Sequence, residues 1–208
     1  MQRKHEGTIF IHPIMEQSFA VIDSEIGTHN LSLAEYAIVR RVIHTTADFE
    51  FKHLLSFSPN AIAVGLTALR RGVPIVTDVN MVKQGIVGLV TKTFNNPVIC
   101  AVEQASSALP GKTRTETGLL QCWQQYPDAI YVIGNAPTAL LALCDRIASA
   151  TILPALVIGA PVGFISVLEA KAALAKIPVE QIRVESRKGG SAVAAAIVNA
   201  LIMLALEN

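Results

Sequence analysis

From residue 54 onward the chain repeats one pattern, a short apolar run followed by a longer stretch whose apolar positions recur at helical spacing. The runs fall at residues 54–57, 74–77, 98–102, 129–133, 155–158 and 182–184. They are brief, rich in Val and Ile, and bounded by turn-forming residues, which predicts buried strands. The intervening stretches near residues 59–71, 81–90, 116–125, 138–148, 164–176 and 191–206 predict helices. Pro59 and Gly72 stand at a predicted helix start and stop, where a fixed φ and a missing Cβ respectively are favourable. Strand then helix, repeated, implies parallel pairing, because parallel neighbours need a crossover and the crossover helix covers a face of the sheet. The expected fold class is α/β: one domain of three layers with a mostly parallel, doubly wound sheet. Residues 1–31 precede the pattern as an N-terminal arm. A helix then opens at Ser32, with Glu35 completing a capping box, and runs to about Thr46.

The apolar load narrows the class of protein. The chain has 208 residues, 51% of them hydrophobic and 16% charged, which excludes a disordered or fibrous chain. No repeat or linker divides it, so a second domain has no place to begin. Residues 147–168 carry no charge over 22 positions, enough to cross a bilayer. Pro154, Gly159, Pro161 and Gly163 break that segment into a helix end, a buried strand and a new helix start. The opening ten residues lack the apolar core of a signal peptide. Cys100, Cys122 and Cys144 are odd in number and far apart, which indicates neither a disulfide framework nor a zinc knuckle and matches a reducing cytoplasm. Seventeen basic against sixteen acidic residues give a net charge of +1 without long like-sign runs. That charge pattern predicts no nucleic-acid or membrane partner. His5, His12, His29 and His53 show no ligand spacing, so no protein-bound metal is expected.

In a doubly wound sheet, ligands bind beyond the carboxyl ends of the strands. Three strand ends run into glycine-bearing loops ahead of a helix: G-N-A-P-T at 134–138, G-A-P-V-G-F at 159–164 and E-S-R-K-G-G-S at 185–191. Glycine lets backbone approach a ligand, and the first N–H groups of a helix favour anions. Three such loops on one edge suit a ligand with several carboxylates or phosphates, and Asn135, Gly190 and Ser191 are the candidate contacts. The plainer reading of each loop is a tight turn. Asp78, closing P-I-V-T-D, is placed either for a site or to cap the helix that follows. Met81 and Trp123 are expected in the core, and Cys100 reads as structural. The run S-A-L-P-G-K-T at 107–113 is like the end of a phosphate-binding loop, but Ser106 stands where the first glycine is needed and the next strand ends without an aspartate. Neither G-x-G-x-x-G nor G-x-S-x-G occurs, which counts against dinucleotide and serine-hydrolase chemistry.

The helix from Ser32 carries one basic arc. At about 100° per residue, Arg40, His44 and Arg41 fall within roughly 100° of each other, while Ala34, Ile38, Val39, Val42, Ile43 and Tyr36 fill the remainder. A helix so apolar is largely buried, so the arc faces a partner, a ligand or a water-filled cavity. An arginine here could grip a carboxylate with two donors, and like charge would make His44 a stronger acid. The alternative is a surface helix end with two solvated arginines.

Seven ordered blocks resemble one family: H-P-I-M-E-Q-S-F at 12–19, R-R-V-I-H at 40–44, F-S-P-N-A at 57–61, P-I-V-T-D-V-N-M-V at 74–82, I-G-N-A-P-T-A-L at 133–140, G-A-P-V-G-F at 159–164 and G-G-S-A at 189–192. Together they resemble the precorrin-8X or cobalt-precorrin-8 methylmutases of corrin-ring synthesis. The stretch 103–118 departs from that pattern, with Glu116 of T-R-T-E where a small residue is expected. The resemblance implies a homodimeric isomerase that moves a methyl group from C11 to C12 of the macrocycle, giving hydrogenobyrinate or cobyrinate. No cofactor is implied, since the substrate is its own methyl donor. The resemblance also implies His44 as general acid, with Ser18 and Arg41 on the substrate; Arg114, Asn135, Gly190 and Ser191 complete the candidate contacts. A corrinoid carrier that holds the ring without turnover is the alternative, and in a carrier His44 would be dispensable.

Overall fold

The computed structural model describes residues 12–207, so His5 and the opening ten residues lie outside it. In chain order the first half comprises α1 (Pro13–Glu25), α2 (Leu33–Thr46), α3 (Phe51–Leu54), β1 (Leu55–Phe57), α4 (Ala61–Arg70), β2 (Ile75–Thr77), α5 (Asn80–Lys92) and β3 (Val98–Cys100). The second half comprises α6 (Ala101–Gln104), α7 (Arg114–Gln125), β4 (Ile130–Ile133), α8 (Pro137–Ala148), β5 (Leu156–Gly159), α9 (Val167–Lys176), β6 (Gln181–Val184) and α10 (Ser191–Glu207). The six expected strands form one sheet in the order β1-β6-β5-β4-β2-β3. Only β1, paired with β6, is antiparallel. Without β1, the parallel strands follow the 2-1-3-4-5 order of many doubly wound sheets, whose switch point lies between β2 and β4.

Alternation along each strand separates two cores. Ile75, Ile130, Val132, Leu156, Ile158, Ile182 and Val184 face a core shared with α2, α4, α5 and α10. Val76, Tyr131, Ile133 and Val157 face the other, covered by α7, α8 and α9. The expected three layers are therefore present. Helix α10 has no charge before Glu207 and is buried along most of its length, as a helix apolar on every side must be.

Several local readings change. The run 98–102 splits, because Thr77↔Cys100 is the last β2–β3 pair and the Val102 N–H then turns to the Asp78 carbonyl at 3.2 Å. Helix α9 starts at Val167, after Ser166 takes a left-handed φ of 57°, which leaves Phe164 and Ile165 outside it and 85% and 82% exposed. Met81 is not in the core but 73% exposed, whereas Trp123 packs partly buried near Tyr131. The expected arm contains α1, started by Pro13, by the His12 ring accepting the Ile14 N–H and by Glu16 in the first turn. The uncharged segment 147–168 folds into the end of α8, β5 and the start of α9, and no helix among the described residues is long and apolar enough to cross a membrane.

Candidate active site

Helix α2 is held by its Ser32–Glu35 capping box and buries Ile38, Val39, Val42 and Ile43. The basic arc is turned toward α1. There Arg40 and Arg41 separate in role. Arg40 pairs with Asp23 at 3.0 Å, and its guanidinium lies 4.4 Å from the Phe19 ring centre. Asp23 also accepts from Tyr36, whose hydroxyl is pushed up to about 12 by burial and then by that carboxylate. The Arg41 guanidinium meets the Met15 sulfur at 3.0 Å, and no carboxylate of the described residues lies within ion-pair distance of it. Burial lowers its pKa, although a guanidinium remains charged. His44 is half-buried and meets the Phe19 ring edge-on at 5.3 Å. Burial, and then the charge of Arg41, hold its pKa below the usual histidine value. Ser18, half-buried one residue before Phe19, gives its hydroxyl hydrogen to the Ile14 carbonyl. A cleft of about 580 Å³ opens between α1, α2, α5 and α10, with Met15, Phe19, Arg41 and Met203 in its wall.

The sheet edge is arranged differently from expectation. Asp78, wholly buried, does not cap α5 beyond the single N–H of Val79. Its carboxylate crosses the switch point and accepts from the N–H groups of Gly134, Asn135 and Ala136 at 3.1, 2.7 and 2.8 Å. Burial pushes this carboxyl up, and the four donors oppose the shift. The β4–α8 loop is thus an anion site already occupied by the protein's own carboxylate, and only the exposed side chain of Asn135 is left to face a ligand. Gly134 must be glycine here, because a Cβ would come within 2.9 Å of the Ser191 Cα.

The β5–α9 and β6–α10 loops join each other. Gly190 N–H donates to Ala160 O at 2.8 Å, and Gly189, at φ +148°, lies so close that a Cβ would sit 2.4 Å from the same oxygen. Gly190 is half-buried and Ser191, the first residue of α10, buried. Arg114 is exposed, and its Nε and Nη2 donate to the carbonyls of Val102 and Ala105 at the end of α6. Thr113 beside it meets Thr138 at 3.1 Å, which brings the starts of α7 and α8 together. Among the described residues no group of His, Cys, Asp and Glu is placed to hold a metal ion.

The profile of the precorrin-8X methylmutase family matches residues 13–204. The chain belongs to the precorrin-8X methylmutase family. It is 62% identical over 208 residues to the cobalt-precorrin-8 methylmutase of Synechocystis sp., an alignment covering 93% of this chain and 96% of that protein. It is 38% identical to the precorrin-8X methylmutase of Pseudomonas aeruginosa, covering 90% and 93% of the two chains. The crystal structure of a precorrin-8X methylmutase from Thermus thermophilus superposes with a TM-score of 0.86 at 42% identity, covering 94% of this chain and 98% of that one. As a precorrin-8X methylmutase family member, the chain is an isomerase of cobalamin biosynthesis that catalyses methyl migration, and the carrier alternative is not favoured.

Within this methylmutase fold the candidate residues form two groups. His44, Arg41 and Ser18 lie where α1 meets α2. Asn135, Gly190, Ser191 and Arg114 lie along the carboxyl edge of the sheet. The groups are linked just past the end of α2, where Lys188 of the β6–α10 loop reaches Asp48 at 2.5 Å and Glu50 at 2.7 Å. Sequence spacing missed Asp78's partners and the Phe19 packing, since each pairs residues with no local signal to connect them.

Proposed function

We propose that this chain moves the methyl group from C11 to C12 of cobalt-precorrin-8, with His44 as the general acid. The observation that carries the assignment of roles is the half-buried Arg41, without a carboxylate partner among the described residues, beside the half-buried His44. A half-buried guanidinium with no carboxylate partner among the described residues calls for an anion, and the substrate's acetate and propionate groups supply carboxylates. The C11–CH3 bond breaks as the C12–CH3 bond forms, and no atom is gained or lost. Protonation of the ring by the imidazolium draws electron density from the conjugated system and lowers the barrier, after which the proton returns to His44. Ser18, Arg114, Asn135, Gly190 and Ser191 are read as substrate contacts, and the apolar cleft as a bed for part of a ring face.

Support for the cobalt-bearing ring is the name carried by the 62% identical relative. Purified protein incubated with each ring form tests the assignment. Turnover with a higher kcat/KM for the cobalt form is expected. Preference for the metal-free ring overturns the cobalt assignment, and absence of the C12-methylated product from both overturns the activity.

Arg41→Ala should weaken ring binding by about 2 kcal/mol or more, roughly 30-fold, with Arg41→Lys intermediate because lysine keeps the charge and loses the fork. The same alanine variant should raise the His44 pKa, readable from the imidazole proton shifts, since one of the two causes holding it down is removed. Wild-type affinity in Arg41→Ala would put the guanidinium outside the site.

We further read the protein as a cytoplasmic homodimer. The adjacent Phe164 and Ile165 before α9, 85% and 82% exposed, are the apolar surface that supports an interface. Light scattering at micromolar concentration should give the dimer mass, and a monomer there would refute it.

A further inference from the structure

Lys171 on α9 is 2% exposed, a position where an unpaired ammonium is costly. Its Nζ donates to two carbonyls of the β6–α10 loop, Ser186 O at 2.8 Å and Lys188 O at 2.6 Å. Burial pushes this ammonium down to about 8, with Glu185 opposing, so it is mostly charged at neutral pH. The loop it holds is unusual backbone. Ser186, Gly189 and Gly190 have φ of 65°, 148° and 115°, which takes the loop out of extended backbone, and the carbonyls of Ser186 and Lys188 accept from the ammonium. The Lys188 side chain leaves the same loop in another direction and pairs with Asp48 and Glu50, four and six residues beyond His44. One lysine therefore anchors the loop from beneath, and the other joins it to the segment that ends the His44 helix.

We infer that Lys171 and Lys188 are positioning residues of the methyl-shift reaction, which hold residues 185–190, and through them Gly190 and Ser191, in fixed register with His44. The inference rests on the reading that Gly190 and Ser191 contact the ring. Substrate carboxylates bound at the loop are then presented at one distance from the acid on α2. Loss of either lysine leaves the acid in place and lets the loop drift.

Steady-state and single-turnover kinetics of Lys171→Met, Lys188→Ala and Ser191→Ala test this. In both lysine variants KM should rise by about 10- to 100-fold, and the single-turnover rate constant at saturating ring should fall by about 10-fold or more, because the bound ring no longer meets the acid at one distance. A merely structural lysine would behave otherwise, because a smaller folded fraction lowers kcat and leaves KM alone. Lys188 is 44% exposed at its side chain, so its alanine variant carries the test if Lys171→Met fails to fold. An unchanged KM in both lysine variants, with KM raised in Ser191→Ala, overturns the positioning role and keeps the loop as a substrate contact. An unchanged KM in all three overturns the loop reading and the inference with it.

Discussion

Replacing His44 with asparagine should lower the single-turnover rate of the methyl shift by about 10²- to 10⁴-fold, the usual contribution of a positioned acid. Asparagine can hydrogen-bond from α2 but cannot deliver a proton, so rate and affinity should part: fold and ring binding stay near wild type. The pH dependence is the sharper readout. Burial, then Arg41, keep the folded-state pKa of His44 below 6.5, so the free protein holds fewer protons here than the unfolded chain does. Two consequences have definite sign. The contribution of His44 to stability rises with pH between its folded-state pKa and 6.5. Since the proposed mechanism uses the His44 imidazolium, kcat/KM should fall as pH rises through that lowered pKa. Substrate carboxylates should raise the pKa in the complex, which moves the falling limb of kcat to higher pH than that of kcat/KM. His44→Asn should lose both limbs. A near wild-type rate in that variant would show that the histidine only orients the ring.

Asp78→Ala should lower the free energy of unfolding by about 3 kcal/mol or more, because four buried N–H groups lose one charged acceptor together. Asp78→Asn should fall between, since its carbonyl oxygen keeps two donors while its amide points N–H at the others. The denaturant midpoint should drop without a change in slope, as expected when native contacts alone are lost. A loss below about 1 kcal/mol for alanine would mean the switch point relaxes around the substitution. The carboxylate also has a functional reading: it denies the β4–α8 loop to a ligand anion. On the proposed reading, the substrate's carboxylates are then left to the β6–α10 loop, Arg41, Arg114 and the Asn135 side chain.

Strands β2 to β6 were legible because each is a short run rich in Val and Ile, and their parallel order follows from the helices between them, whereas the antiparallel β1, Leu55–Ser56–Phe57, has no β-branched residue. Ile130, Val132, Leu156 and Ile158 show the face alternation that the sequence pattern hides, since both faces of a central strand are apolar. Helix α1 was harder to read, because Ile14 and Val21 are exposed and its buried contact amounts to Ile22 with Phe19 and Met15 at the edge. Its opening signal, His12 before Pro13, belongs to a recognisable block but is a weak cap. The basic arc on α2 was legible from spacing, but the division of labour within it was not. Arg40 is committed by Asp23, seventeen residues earlier on another helix, and nothing local tells it from Arg41. Asp78 is the same case at longer range, since its main partners lie 56 to 58 residues on. Lys171 reads in sequence as an ordinary helix surface lysine, and only the left-handed turn of a loop fifteen residues away makes it an anchor.

Helix α10 follows in the chain the three helices it packs on most, α2, α4 and α5, as well as β4 and β5 beneath it. During synthesis the apolar faces of those three helices therefore exist before the helix that covers them. One layer of the domain has to wait open, its strands already able to pair, until residues 191–207 leave the ribosome. That interval exposes just the surface that holds chains together in aggregates. A ribosome-stalled chain ending before α10 should thus bind chaperones and resist native digestion poorly, and emergence of residues 191–207 should convert it to the compact form in a single cooperative step.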